Sequence, residues 1–335
     1  MTILFLTRKF YPDVGGVEKH VLEIGKLLVK NKHKVIVATE SQGKEKIVNG
    51  IEIFRIKSSN NWFKKFYIWK WLWENRTLIS ISEIVHAHDV YFWYFPFRFL
   101  YPRKKSFVTF HGYETYPIKK KAIWTRKLSE KLANGNIIVG DFIKKWYGTK
   151  PDYVTYGAVE MSNVKSQISN KPKRESAVFI GRLDKHTGIL DYAKAVDLIR
   201  KEYPKFKFTI LGDGEYKSKL NKYKPLGFKN NSLEYLKKNN FAFVSRYLAI
   251  LEALANKRLV FALYDNPVKE DYLKMAPFAK FIIIEKTPEK IKEKVEYLLN
   301  NPEEENKFKN NGFNWVKKQT WENITDTYLK LWAGK

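Results

Sequence analysis

Between Thr2 and Thr39 the chain runs through an apolar stretch, a loop carrying Gly15-Gly16, a helix-spaced stretch and a second apolar stretch, and this order constrains the fold most. Thr2 to Thr7 reads as a first strand. In HVLEIGKLLV the apolar residues Val21, Leu22, Ile24, Leu27 and Leu28 fall at helical spacing, and HKVIVATE then reads as a second strand, with IEIFRIK as a third. Strand, helix, strand in so few residues predicts parallel winding with the helix crossing one face of the sheet. A glycine pair just before a helix lets backbone approach a ligand and aims free N–H groups at it; a plain tight turn is the alternative reading.

The same plan recurs along the chain. EIVHAHD is a strand ending in His86, His88 and Asp89, and SFVTFHGYE delivers His111 followed by Gly112 at a carboxyl end, where α/β sheets place ligand contacts. NIIVG and YVTYGAVE are further short strands. The first domain is expected to end near residue 162, with the polar segment 161–176 as linker. The second half restarts with AVFIGRLDKHTGILDYAKAVDLI, then FKFTILGDG and LEYLKKNNFAFVS. It centres on 245–262, SRYLAILEALANKRLVFA, a helix carrying Glu252 that turns into the strand Leu259 to Ala262. A carboxylate placed there suits a ribose diol in the crevice outside the strand ends. After FIIIE come two or three helices, the last of which, within about 316–335, is a candidate to cross back to the first domain.

A length of 335 residues suits two such domains. The 62 Lys and Arg against 35 Asp and Glu give a net charge of +27, a field that draws nucleic acid, anionic lipid or phosphorylated substrates. The absence of cysteine excludes disulfides, thiolate-bound zinc and a thiol nucleophile. The start, MTILFLTRKF, has its basic pair after the apolar run, the reverse of a secretory signal, and no apolar stretch is long enough to span a bilayer. Two stretches mix aromatic and basic residues: NWFKKFYIWKWLWENR, with Trp62 through Trp73, and YFWYFPFRFLYPRKK at 91–105. One such helix reads as core with a basic edge; two together favour contact with an anionic membrane surface. His86-x-His88 lacks an evident third ligand, so metal is set aside.

The motifs GGVEKHVLEIGKLLVKNKHKV, EIVHAHD, VTFHG, AVFIGRLDKHTG, TILGDGE and LEALANKRLVFA, in that order over nearly the whole chain, resemble the retaining glycosyltransferases of family 4. That resemblance implies the GT-B fold, an α/β architecture of two Rossmann-like domains facing across a cleft. Residues 1–162 would form the acceptor domain and 163–315 the nucleotide-sugar domain. It implies that Gly15 and Gly16 pass close to the donor phosphates, that His111 sits by the donor sugar, and that Arg182 holds the diphosphate. It also implies that Glu252, the later carboxylate of a Glu-x7-Glu pattern, accepts from the ribose hydroxyls. Lys185, Arg246, Tyr247 and Leu248 complete the expected donor set, and no cofactor is implied.

Three departures stand against the family pattern. The earlier glutamate is Val244, the glycine-rich turn reads Val244-Ser245-Arg246-Tyr247, and the lysine before Gly188 is Thr187. Arg246 and Lys185 are the expected electrostatic substitutes. No Asp-x-Asp occurs, which favours cations over a bound metal at the leaving diphosphate. The expected partners are a nucleotide sugar, a lipid-linked or other glycan acceptor and an anionic membrane surface, with no nucleic acid. The expected location is cytoplasmic, peripheral at the inner face of the cell membrane, in cell-envelope polysaccharide or glycan assembly. Two other readings stay open: a non-catalytic relative on the same fold, and a basic nucleic-acid-binding protein.

Overall fold

The computed structural model describes residues 1–57, 63–161, 172–229 and 231–334. Trp62, most of the expected linker and the expected boundary at 162/163 lie outside the described residues. The chain divides into two compact units, Met1–Tyr156 with Trp321–Lys335, and Gly157–Thr320.

The first unit is built on β1 (Thr2–Thr7), β2 (Lys34–Thr39), β3 (Ile47–Val48), β4 (Ile51–Arg55), β5 (Ile84–His88), β6 (Lys105–Phe110), β7 (Asn136–Val139) and β8 (Tyr153–Thr155). Their spatial order is β3-β4-β2-β1-β5-β6-β7-β8; β3 is antiparallel to β4, and the other pairings are parallel. Residues Ile3 to Leu6 are all fully enclosed, because helices cover both faces of a parallel sheet and leave no polar side to alternate with. Helix α1 (Gly16–Lys30) follows β1 and buries His20, Val21, Ile24, Gly25 and Leu28. A Cβ at Gly25 would lie 2.6 Å from Ile51 Cδ1, so the glycine lets α1 approach β4 closely. The last helix (Trp321–Ala333) packs on α1 and buries Ile324, Tyr328, Leu331 and Trp332.

The two aromatic stretches differ in kind. Tyr91, Trp93, Tyr94 and Phe97 are enclosed, so the stretch expected to add a second membrane-facing cluster is mostly core, with only Phe99 and Leu100 outward among its large apolar side chains. On α2 (Lys64–Glu74), Ile68 and Leu72 face inward, while Phe66, Tyr67 and Trp73 are exposed beside Phe63. No helix among the described residues is long and apolar enough to cross a membrane.

The second unit has β9 (Lys173–Ile180), β10 (Lys207–Leu211), β11 (Asn239–Phe243), β12 (Leu259–Leu263) and β13 (Ile283–Glu285), ordered β10-β9-β11-β12-β13 and parallel throughout. Strand β9 begins inside the segment that composition assigned to the linker. Lys173 to Glu175 are exposed at its near end, so their polarity is that of a strand end, while Ser176 already pairs with Lys207. Phe179, Phe241, Phe243, Phe261 and Tyr192 fill the core. After β11 comes the central helix (Tyr247–Ala255), ended by a turn in which Lys257 takes a left-handed φ of 54° before β12.

In both sheets the chain starts in the interior, winds to one side, then returns to the other. The reversal falls between β1 and β5 in the first unit and between β9 and β11 in the second. At such a switch point the loops leaving the two strands diverge and open a crevice at the carboxyl edge.

Candidate active site

At the first switch point, strand alternation puts His86 and His88 on one face of β5. Register brings Thr109 beside His88 and Phe5 beside His86 on that same face. His20, one turn into α1, and Tyr328 and Trp332 of the last helix close over them. Three hydrogen bonds with ring or hydroxyl partners link the group: His20 Nε2 to Tyr328 OH at 3.0 Å, Tyr328 OH to Thr109 Oγ1 at 2.8 Å, and Thr109 Oγ1 to His86 Nε2 at 2.8 Å. Trp332 Nε1 donates to His86 Nδ1 at 3.0 Å. Burial first, and neighbouring imidazoles second, hold His20, His86 and His88 well below the ordinary histidine range, so all three are neutral. Among the described residues no group of three or more His, Cys, Asp or Glu has an arrangement that could hold a metal ion.

His111 follows β6 at the rim of this cluster. Its Nε2 is 2.9 Å from His88 Nδ1, its main-chain N–H donates to Asp89 Oδ1 at 2.9 Å, and the His20 ring meets its ring edge to face at 4.7 Å. Burial, then the Arg126 guanidinium, push the His111 imidazole down to about 3. It is therefore a neutral hydrogen-bonding ring and no cation. Arg126 itself is held by Glu114 and the Gly112 carbonyl and lies 3.8 Å over the Tyr147 ring. Gly15 precedes α1 with φ −178°, an extended conformation open to any residue; a Cβ there would press on the Glu18 carboxylate. Gly15, Gly16 and His111 thus share the carboxyl edge of the first sheet.

At the second switch point, Arg182 follows β9, mostly exposed and 3.2 Å from the Asp184 carboxylate. Lys185 opens a short 3-10 turn and is exposed. Thr187 is not a donor toward ligand: its hydroxyl is turned onto the Arg182 and Asp184 carbonyls at 2.8 and 2.9 Å. Ser245 Oγ donates to the Thr187 carbonyl at 3.2 Å, which draws the loop after β11 against the loop after β9. Arg246 is the residue preceding the central helix, and its side chain makes no cap, so the guanidinium is not spent on the helix end. Val244 is enclosed at the end of β11.

Three of the other expected donor contacts are at least partly used by packing. Tyr247 is buried, stacks on Tyr272 at 4.0 Å and donates its hydroxyl to the Tyr272 carbonyl at 2.6 Å. Leu248 lies so close to Gly157 that a Cβ there would meet its Cδ2 at 2.8 Å. Glu252 is half-buried on the central helix. Sequence reasoning missed Lys269, an enclosed lysine that donates to the Ser245 carbonyl and lies 4.3 Å over the Tyr272 ring. Burial, then the Arg246 charge, hold its amine well below the usual lysine range. It also missed Tyr328, Trp332 and His20; only His20 carried a signal, as a polar residue on the apolar stripe of α1.

Known proteins share this architecture. The family model for glycosyltransferase family 4 matches residues 14–150, and that for glycosyl transferases group 1 matches residues 161–315. A glycosyltransferase from Rickettsia africae ESF-5 superposes with a TM-score of 0.75 at 17% identity, covering 99% of this chain and 97% of that one. HepE from Anabaena, solved with UDP and glucose, gives 0.73 at 12% identity over 99% of each chain. WaaG, a glycosyltransferase involved in lipopolysaccharide biosynthesis, gives 0.73 at 12% identity over 99% of this chain and 100% of that one. Among curated proteins, the gpi3 subunit of phosphatidylinositol N-acetylglucosaminyltransferase from Schizosaccharomyces pombe is 23% identical over 61% of this chain, a match spanning about half (49%) of that protein. The two family models together run from residue 14 to 315 with few residues between them, and the chain belongs to the glycosyltransferases of family 4, with the GT-B fold.

Proposed function

We propose that this glycosyltransferase moves a hexose-type sugar from a nucleotide diphosphate donor, with retention, to a membrane-associated lipid-linked glycan acceptor, in the assembly of cell-envelope polysaccharide or glycan. The observation that carries the reading is the second switch point. Two arginines, Arg182 and Arg246, stand on the facing loops after β9 and β11, with the N-terminus of the central helix between sheet and solvent. A leaving diphosphate needs that concentration of fixed positive charge and N–H dipoles. Arg246, with Lys185, takes over from the lysine that Thr187 replaces. In this reading Glu252 accepts from the ribose hydroxyls, and His111, being neutral, hydrogen-bonds to the donor sugar while Gly15 and Gly16 border the phosphates.

The leaving diphosphate is stabilised by side chains and helix dipole in this proposal, so transfer survives a chelator. Loss of all transfer in EDTA with recovery on adding Mg²⁺ would contradict it. The acceptor reading rests on α2, where Phe66, Tyr67 and Trp73 are exposed beside Lys65 and Lys70. Aromatic side chains at headgroup depth with lysines at lipid phosphate are the chemistry of an interfacial helix. The curated relative's name, a transferase acting on phosphatidylinositol, points the same way. Flotation with vesicles containing a quarter anionic lipid tests it: binding at moderate salt that falls in the double variant Phe66→Ser, Trp73→Ser supports a membrane-borne acceptor, and no binding rejects it.

A further inference from the structure

The last helix ends its side chains in the histidine cluster, and the donors and acceptors there can be counted. An indole N–H only donates, so Trp332 makes His86 Nδ1 an acceptor. A neutral ring then carries its proton on Nε2, which points at Thr109 Oγ1. Thr109 is fully enclosed, and Tyr328 OH is the other partner of its hydroxyl. Having accepted from His86, Thr109 passes its own proton to Tyr328, and Tyr328 passes its proton to His20 Nε2. His20 is left protonated on Nδ1. The opposite direction fails at Thr109, which would accept from both sides and bury a hydroxyl proton with nowhere to go, a costly arrangement.

We propose that Tyr328 and Trp332 are positioning residues of the first-unit site: through this one-way chain they hold His20 as its Nδ1–H tautomer, perpendicular to the His111 ring. The proposal rests on His111 contacting the sugar. A ring free to exchange tautomers would also be free to turn, because each tautomer seeks a different partner. With Tyr328 donating to one nitrogen, the ring behind His111 has one orientation. Holding a substrate contact in place in this way acts on the chemical step more than on donor capture.

The test uses the full-length chain labelled with 15N-histidine, and long-range 1H–15N correlation spectra that report which ring nitrogen carries the proton. The parent is expected to show His20 protonated on Nδ1 and His86 on Nε2. Tyr328→Phe should leave His86 as it was and put His20 into a mixture; Trp332→Phe should release His86 as well. Thr109→Val, which keeps the shape of the sheet residue, leaves the Tyr328 hydroxyl His20 as its remaining partner and should keep His20 protonated on Nδ1, so a mixture seen in Tyr328→Phe and absent here is the loss of that donor and no general defect of the cluster. Tyr328→Phe should lower kcat about tenfold with KM for the nucleotide sugar within about twofold. A parent His20 protonated on Nε2 overturns the proposal, as does Tyr328→Phe with His20 and kcat both unchanged. The tautomers are read without substrate, so a parent that turns over no nucleotide sugar overturns the transferase reading alone.

Discussion

Acidification is the perturbation whose size follows most directly from the structure. His20, His86 and His88 are enclosed to within 2% and neutral, their native pKa values held well below 6.5 by burial and then by neighbouring imidazoles, His111 among them for all three. In the unfolded chain each titrates near 6.5. The stability they contribute is therefore complete above 6.5 and is lost as pH falls from there toward the depressed native values, because only the unfolded chain takes up the protons. One pH unit below 6.5, each histidine costs about 1.4 kcal/mol, so these three and His111, pushed down to about 3, together remove roughly 5 kcal/mol between pH 7.5 and 5.5. Asp89 works the other way: burial raises its carboxyl to about 6, so the native state takes up most of a proton across that window and regains roughly 1 kcal/mol, while ordinary carboxylates titrate lower and contribute little. Trp315 is the only tryptophan between Gly157 and Thr320, so tryptophan fluorescence in urea reports mainly the first unit. The expected result is a fall of roughly 4 to 5 kcal/mol at unchanged m-value, with unfolding at pH 5.5 taking up about 3 protons. A loss below about 1 kcal/mol would mean that these rings are charged or solvated in the native state, and would refute the account of the cluster.

Gly212 has φ +148°, and a Cβ there would lie 1.8 Å from the Gly181 carbonyl oxygen; Gly212→Ala should destabilise the second unit by about 3 kcal/mol or more, read as a lower urea midpoint. Arg246→Ala should weaken binding of a nucleoside diphosphate about tenfold or more while moving Tm by no more than about 2 °C, since its side chain makes no cap on the central helix; calorimetric titration and a melting curve decide it. Lys269 has its native pKa depressed chiefly by burial, so the second unit should gain about 1.4 kcal/mol per pH unit between that depressed value and 10.5. Lys269→Met should remove that slope, and an unchanged slope would place the titration elsewhere.

The supersecondary plan was legible because it rests on local chemistry. Helical spacing after Gly15-Gly16, alternation in EIVHAHD and the turn between Ala255 and Leu259 each dictate an element without help from the rest of the chain. The same alternation put His86 and His88 on one face. What covers that face was not legible: Tyr328 and Trp332 arrive from more than 200 residues away, and nothing in their own stretch distinguishes them from ordinary core aromatics. The stretch 91–105 misled for a related reason. Aromatic side chains serve cores and membrane interfaces alike, and only packing against the sheet decided that Tyr91, Trp93, Tyr94 and Phe97 face inward. Lys269 reads in sequence as one more surface lysine of a basic chain, yet the loop holding Ser245 folds over it. Around the second switch point the loops that carry Arg182 and Arg246 were legible as strand ends, but the commitment of Tyr247 to Tyr272 depends on a helix twenty residues further on.

The central claim, a family 4 transferase with its donor held at the second switch point, is tested most directly by melting the protein in a panel of nucleotides and nucleotide sugars. A ligand at a hundred times its Kd stabilises the native state by about 2.7 kcal/mol. The account requires a rise in Tm with a nucleoside diphosphate and a larger or equally selective rise with one nucleotide sugar, both lost in Glu252→Ala and reduced in Arg246→Ala. No shift with any nucleotide sugar, or a shift that Glu252→Ala and Arg246→Ala leave intact, would contradict it.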